Sequence, residues 1–219
     1  IAGVAGSGQR ELLETIAGLT KAESGEIDYF PPNHEPQELT KLSAVEINRL
    51  GVRLSFVPED RLGMGLVGPM DMVDNMMIRS YKRGGHFWVD RKAPRSLAEK
   101  IIRDLEVVTP GVGTPVGKLS GGNVQKVLVG REIASNPIVL MVAYPVRGLD
   151  IHSSHTIYRL LDEQKRNGVA VLCVGEDLDV LLALCDRILV MCGGRVTGIV
   201  DARTATKEQI GMLMMRTEG

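Results

Sequence analysis

Two uninterrupted apolar runs limit what this chain can fold into. Ile138-Val139-Leu140-Met141-Val142 and Val169-Ala170-Val171-Leu172-Cys173-Val174 carry no polar side chain on either alternating set. Each reads as a strand covered on both faces, and such strands need helices above and below them. The stretch between them supplies one: Ile157, Leu160 and Leu161 form an apolar stripe within 151–167, and Gly168 ends it. Strand, helix and strand in this order predict right-handed crossovers and a mainly parallel sheet in a three-layer α/β core.

The remaining elements fit that plan. Leu54–Val57 reads as a strand, and so do Arg187–Met191 and Arg195–Val200, which flank a Cys192-Gly193-Gly194 turn. Helices are expected at Ser43–Arg49, Ser96–Leu105, Leu178–Cys185 and Lys207–Met215. Residues from about Pro69 to Pro137 read as a mostly helical lobe inserted into the core. The stretch from Val67 to Arg83 contains Met70, Met72, Met76 and Met77, an adaptable apolar set suited to a core or to a contact surface. Lys82–Pro94 is a basic connector holding the only tryptophan, Trp88. One short basic stretch in a chain of net charge -1 gives no broad basic face for nucleic acid. No run of eighteen apolar residues is present. The three cysteines, Cys173, Cys185 and Cys192, lack metal-ligand spacing and read as packing residues in a reducing compartment. The chain begins at Ile1, inside what reads as a strand, and is expected to be a segment of something longer, a single domain over 1–219.

Two glycine-bearing turns carry the chemistry. In the first, Ile1-Ala2-Gly3-Val4 reads as a strand end, and Leu12, Leu13 and Ile16 give helical spacing. Strand, glycine turn and helix form the context of a phosphate loop, G-x-x-x-x-G-K-[ST]. Gly3 and Gly8 meet the pattern, but Gln9 stands where the lysine belongs and Arg10 where the Mg²⁺-binding hydroxyl belongs. Amides of Gly6, Ser7 and Gly8 suit an anion nest. The plain alternative is a tight turn with no ligand. In the second, Leu119-Ser120-Gly121-Gly122-Asn123 precedes a helix-like run with Val124, Val127, Leu128 and Ile133. Ser120 suits an N-cap, and a serine with two glycines at a helix start directs amides and the positive dipole end at one spot.

The full Leu119-Ser120-Gly121-Gly122-Asn123 with Gln125 resembles the signature motif of ATP-binding-cassette (ABC) ATPases. The resemblance runs from Gly3 to about Met215 and takes in Pro58-Glu59-Asp60-Arg61, Pro145, Gly148-Leu149-Asp150 and Gly175, in order. It implies the P-loop NTPase fold. It also implies that the signature caps the γ-phosphate of ATP held by a partner cassette, and that Gly148-Leu149-Asp150 crosses the interface between cassettes. Glu59 stands where the family has a glutamine that touches Mg²⁺ and senses the transmembrane permease. Ala143 and Tyr144 stand where the family has an Asp that holds Mg²⁺ and a Glu that polarises the attacking water, and Glu176 stands where it has a His. On this resemblance the chain holds no catalytic residue and no metal of its own. ATP is expected weakly at Gly3–Arg10, with Mg²⁺ at the partner's site.

Pro58-Glu59-Asp60-Arg61 with Gly65-Leu66-Val67 looks most like importer ATPases for monosaccharides and nucleosides that have two cassettes fused in one chain. This sequence resembles the second cassette. The implied partners are the first cassette, upstream in the same chain, and a permease, which would hold the protein at the cytoplasmic face of the membrane. The competing expectation is a non-catalytic scaffold that binds no nucleotide.

Overall fold

The structure is a computed structural model and describes residues 1–31, 35–50, 52–80 and 90–216. Trp88 and most of the basic connector lie outside the described residues. The chain divides into two compact units, Ile1–Leu54 with Leu172–Gly219, and Ser55–Val171.

In the first unit, strand β1 (Ala2–Gly3) runs into the glycine loop and then helix α1 (Gln9–Ile16). Gly18 ends α1 in the left-handed region, φ 70°, and the Leu19 amide returns to the Glu14 carbonyl. That is the usual glycine stop for a helix. Strands β2 (Asp28–Tyr29) and β3 (Gln37–Glu38) form a small antiparallel ribbon. Helix α2 (Ala44–Arg49) starts at a reciprocal capping box between Ser43 and Glu46. Leu39, Ile47 and Val52 make a local core beneath it.

The C-terminal part of this unit holds helix α7 (Leu178–Leu184), strand β7 (Arg187–Cys192), strand β8 (Arg195–Asp201) and helix α8 (Lys207–Met214). Strand β7 pairs in parallel with β1, Ala2 opposite Val190 and Gly3 opposite Met191, and antiparallel with β8. Ala2, Leu181, Ile188, Val190, Ala202 and Ile210 form the core between sheet and helices. Along β7, Ile188, Val190 and Met191 are buried, and Leu189 and Cys192 are half-buried.

A second sheet has the order β4 (Leu54–Val57), β5 (Val139–Ala143), β6 (Ala170–Val174), with β5 in the middle. Its central strand is the first of the two apolar runs, and Leu140, Met141 and Val142 are fully buried. The second unit adds helices α3 (Met72–Met77), α4 (Lys92–Asp104), α5 (Gly121–Ile133) and α6 (Ile151–Arg166). Gly130 of α5 lies against Ile101 and Leu105 of α4, where an added Cβ would come within 3.1 Å of each. The inner face of α5 ends in charge. Glu132 is wholly buried and is gripped by Arg131 and Arg79. Partial desolvation lowers the Arg131 pKa, and the Glu132 partner opposes the shift.

The methionine-rich stretch, open in sequence to a core or a contact role, is divided between the two. Met72 and Met76 are core residues, 0% and 1% exposed, and Met77 is half-buried. Met72 and Met76 stand four apart on α3, so they share its inner face. Met70 precedes the Asp71 N-cap, sits in a turn and is exposed. No described helix is long and apolar enough to cross a membrane.

Candidate functional site

The glycine loop is shaped by its own bonds. Gly6 and Gly8 take the left-handed conformation, φ 84° and 95°, which a side chain would resist. The Ser7 amide is spent on the Val4 carbonyl at 3.1 Å, and the Ser7 carbonyl accepts from Gly194 of the β7–β8 turn at 3.2 Å. Gln9 turns inward: it is 2% exposed and its Nε2 donates to the Val4 carbonyl at 3.0 Å. A Cβ on Gly3 would lie 2.4 Å from that Nε2, so Gly3 makes the room Gln9 fills. Arg10 points the other way and pairs with Glu14 one turn along α1, at 2.7 Å. Glu176 is exposed beyond β6. Of the amides expected to form a nest, that of Ser7 is therefore already taken. The loop does not fit Mg²⁺ at Arg10, because a guanidinium cannot ligate a cation. Among the described residues no group of three His, Cys, Asp or Glu could hold a metal ion.

The second unit brings the other predicted residues together. A short 3₁₀ turn, Val116–Lys118, delivers Leu119, and Ser120 caps α5 by accepting from the Asn123 amide at 3.4 Å. Asn123 is locked as well: its Nδ2 donates to Ser120 Oγ at 2.9 Å, and its Oδ1 accepts from the Val108 amide at 3.0 Å. Two donors thus occupy the Ser120 oxygen, and its own proton is what remains to donate. Ser120 and Gly121 are exposed, and the first amides of α5 have no partner within the helix. The Gly121 amide and the Ser120 hydroxyl are the donors left exposed at this positive helix end, which suits an anion.

Gly148-Leu149-Asp150 is packed beside this turn. Gly148 is left-handed, φ 69°, and Asp150 caps α6 by accepting from Ser153 N at 2.9 Å and Ser153 Oγ at 2.7 Å. Those bonds hold the Asp150 carboxyl below its ordinary range. Gly122 is buried against this cap. A Cβ there would meet Ser153 Oγ at 2.7 Å and Asp150 Oδ2 at 3.3 Å. The glycine is needed because another element's cap sits where its side chain would be.

Strand β5 ends at Ala143, which is 3% exposed, and Tyr144 follows in the left-handed region, φ 48°. Arg147 lies over the Tyr144 ring, 5.3 Å from its centre, and forms an ion pair with Glu59. Glu59, expected to sense a permease, is thus also tied to the loop of Gly148–Asp150.

Three residues were not legible as functional from the sequence. Arg61 opens a π-helical turn, Arg61–Gly65, and donates to the Arg147 carbonyl. Ser153 and Arg147 hold the loop Gly148–Asp150 in shape. A signal existed for Ser153, an Asp followed three residues later by a hydroxyl at a helix start, and Arg61 stood in the Pro58-Glu59-Asp60-Arg61 motif without a role of its own.

Comparison with known proteins places these features. The family model described as "ABC transporter" matches residues 1–145. The chain belongs to the ABC transporter family. It is 35% identical over 212 residues to "Ribose import ATP-binding protein RbsA 1" of Rubrobacter xylanophilus, covering 96% of this chain and 41% of that one. It is 35% identical over 221 residues to "Nucleoside import ATP-binding protein NupA" of Lactococcus lactis, with 98% and 42% covered. The chain therefore spans about two-fifths of the length of these curated relatives. In fold it is similar to the dimeric ATP-binding cassette MJ0796 in a post-hydrolysis state bound to ADP and Pi. That likeness has TM-score 0.76 at 23% identity, over 93% of this chain and 84% of the other. The architecture is that of the P-loop NTPase fold of ABC cassettes, a parallel-stranded α/β core with helices.

Proposed function

We propose that this chain is a nucleotide-binding cassette of an importer for simple sugars or nucleosides, and that its working surface is the signature turn, offered to ATP held by another cassette. The observation that carries the reading is Ser120: its oxygen accepts twice from Asn123, which leaves its hydroxyl to donate beside the exposed Gly121 amide. This is a preformed γ-phosphate cap. Mg²⁺ belongs with the partner's nucleotide. The loop Gly3–Arg10 holds ATP weakly and does not turn it over, because Gln9, Arg10, Ala143 and Tyr144 supply neither metal ligand nor general base. In this reading the chain is the second of two cassettes, with the first upstream in the same polypeptide.

A permease is the second partner, and it would keep the protein at the cytoplasmic face of a membrane. Leu62, Met64, Val67, Met70 and Ile78 are exposed apolar residues within 62–78, and Glu59 precedes them. These, with Met70 alone of the four methionines, offer the adaptable contact for it. The net charge of -1 favours no nucleic-acid partner.

The inward turn of Gln9 favours a second reading, a scaffold that binds no nucleotide. Steady-state hydrolysis by the assembled transporter separates the two. Ser120→Arg is expected to abolish turnover, since loss of one transition-state anion donor alone costs about 3 kcal/mol, on the order of a hundredfold. Gln9→Lys should add little. Near-normal turnover in Ser120→Arg would make the scaffold the better reading.

A further inference from the structure

The side chain of Arg61 leaves its own turn and lies between two loops. One arm of the guanidinium donates to the main-chain carbonyl of Arg147. The other arm, Nη1, rests on the signature turn, where a Cβ on Gly121 would meet it at 3.4 Å. Arg147 is gripped a second time, by the ion pair between its side chain and Glu59, two residues before Arg61. The segment that makes both grips is itself rigid. Asp60 accepts from the Gly63 amide at 2.8 Å, and a Cβ on Gly63 would collide with that carboxylate at 2.0 Å. At its far end Gly65 fits against Leu128 of α5, and its carbonyl accepts from Arg131 Nη2 at 2.6 Å. The π turn is thus bolted to the signature helix at one end and holds the loop before α6 at the other. Single π turns of this kind are frequent where a site needs a side chain aimed out of helical register.

We propose that Arg61 is a positioning residue that clamps the loop Arg147–Asp150 against the signature turn Ser120–Gly122. A planar fork is required for this. The flat guanidinium donates one arm to the Arg147 carbonyl while its other arm lies against Gly121, whereas an ammonium is a single point of donation at the end of a shorter reach. The main-chain carbonyl is the acceptor, so the clamp sets where the loop runs and does not depend on which side chain Arg147 carries. Without Arg61 the loop keeps the Leu149 amide's bond to the Val146 carbonyl and the Arg147–Glu59 ion pair, but loses its main-chain tie beside Gly121. The consequence for hydrolysis rests on the reading that the signature turn and this loop serve a partner's nucleotide. Small errors in placing such groups cost rate rather than binding.

The test uses hydrogen exchange on the full-length protein, wild type against Arg61→Ala and Arg61→Lys, together with steady-state kinetics of the assembled transporter. Loss of one charge-assisted hydrogen bond is expected to speed exchange by about tenfold in 147–153 and 120–123. Exchange in α3 and α4 should not change. Both variants should lose turnover by roughly tenfold or more at little-changed KM for ATP. Three results overturn the clamp: unchanged exchange in 147–153, faster exchange spread evenly through α3 and α4, or full recovery of slow exchange by lysine. Local loosening with unaltered turnover would overturn its positioning role. The parent reading fails separately, if Ser120→Arg leaves hydrolysis intact, and the exchange data then still decide whether the clamp exists.

Discussion

Gln9 looks at first like a broken contact to a ligand, but its environment gives it a different job. It is buried, it donates to the Val4 carbonyl of its own loop, and Gly3 has no side chain because Gln9 lies where that side chain would be. A residue so placed stabilises the loop whether or not anything binds there. Gln9→Ala should therefore lower stability by about 1–3 kcal/mol, through the orphaned carbonyl and the space left behind. The same substitution should leave nucleotide affinity unchanged. Urea unfolding and an equilibrium titration with a fluorescent ATP analogue check the two halves. A large fall in affinity with unaltered unfolding would mean that Gln9 faces a ligand after all. Cys173 shows the same preference for packing over chemistry. Burial pushes its thiol up to about 12, which suits a core residue and not a nucleophile.

At the scale of elements, the match of α5 and α6 depends on one missing methyl group. Gly122 sits where a Cβ would be 2.7 Å from Ser153 Oγ, and Ser153 is held there by Asp150. Gly122→Ala should cost about 1–3 kcal/mol, because the cap cannot move away without giving up its bonds. In the Gly122→Ala/Ser153→Ala double variant the two costs should fall short of their sum by about 1 kcal/mol, the mark of residues in contact. Strictly additive losses in thermal or urea unfolding would show that the close approach is relieved elsewhere. Most elements were legible from the sequence, and the reasons are physical. Apolar runs, caps and glycine stops act over a few residues, so β5, α1, α5 and α6 fall where their patterns predict. The turn Arg61–Gly65 and strand β3 were not legible. The turn is made by Asp60 and by contacts with Leu128 and Arg131, more than sixty positions away in sequence. Strand β3 is two residues, Gln37–Glu38, with no apolar alternation to mark it. The site was legible in its residue types and not in its wiring. Ser120 and Gly148–Asp150 are local motifs, whereas the tie between Arg61 and Arg147 spans 86 positions and leaves no periodic trace.

For the whole molecule, the proposed lack of turnover at its own site raises the question whether restoring single residues would return it. The resemblance points to Tyr144 as the place of the missing general base, so Tyr144→Glu is the obvious repair. The surroundings argue against it. Arg147 lies 5.3 Å from the centre of the Tyr144 ring, and its guanidinium would meet the new carboxylate instead. An adjacent cation lowers a carboxylate's pKa and occupies its oxygens, which makes it a weaker base and a poor ligand for water. Tyr144 also has φ 48°, a conformation that glutamate resists as much as tyrosine does, so the side chain would leave from the same direction. Removing the cation as well, in Tyr144→Glu/Arg147→Met, would free the carboxylate. Ala143 and Arg10 would still provide no metal ligand, and metal assistance is worth several kcal/mol on its own. The isolated 219-residue domain is therefore expected to hydrolyse ATP at background, and the single and double variants to do the same within about tenfold, the lower part of what a general base contributes. A phosphate-release assay with millimolar Mg²⁺ decides it. If Tyr144→Glu alone raised turnover a hundredfold, Arg147 would have to have swung off the ring, Ala143 would not be a missing ligand, and the chain would be one substitution from a working site rather than four.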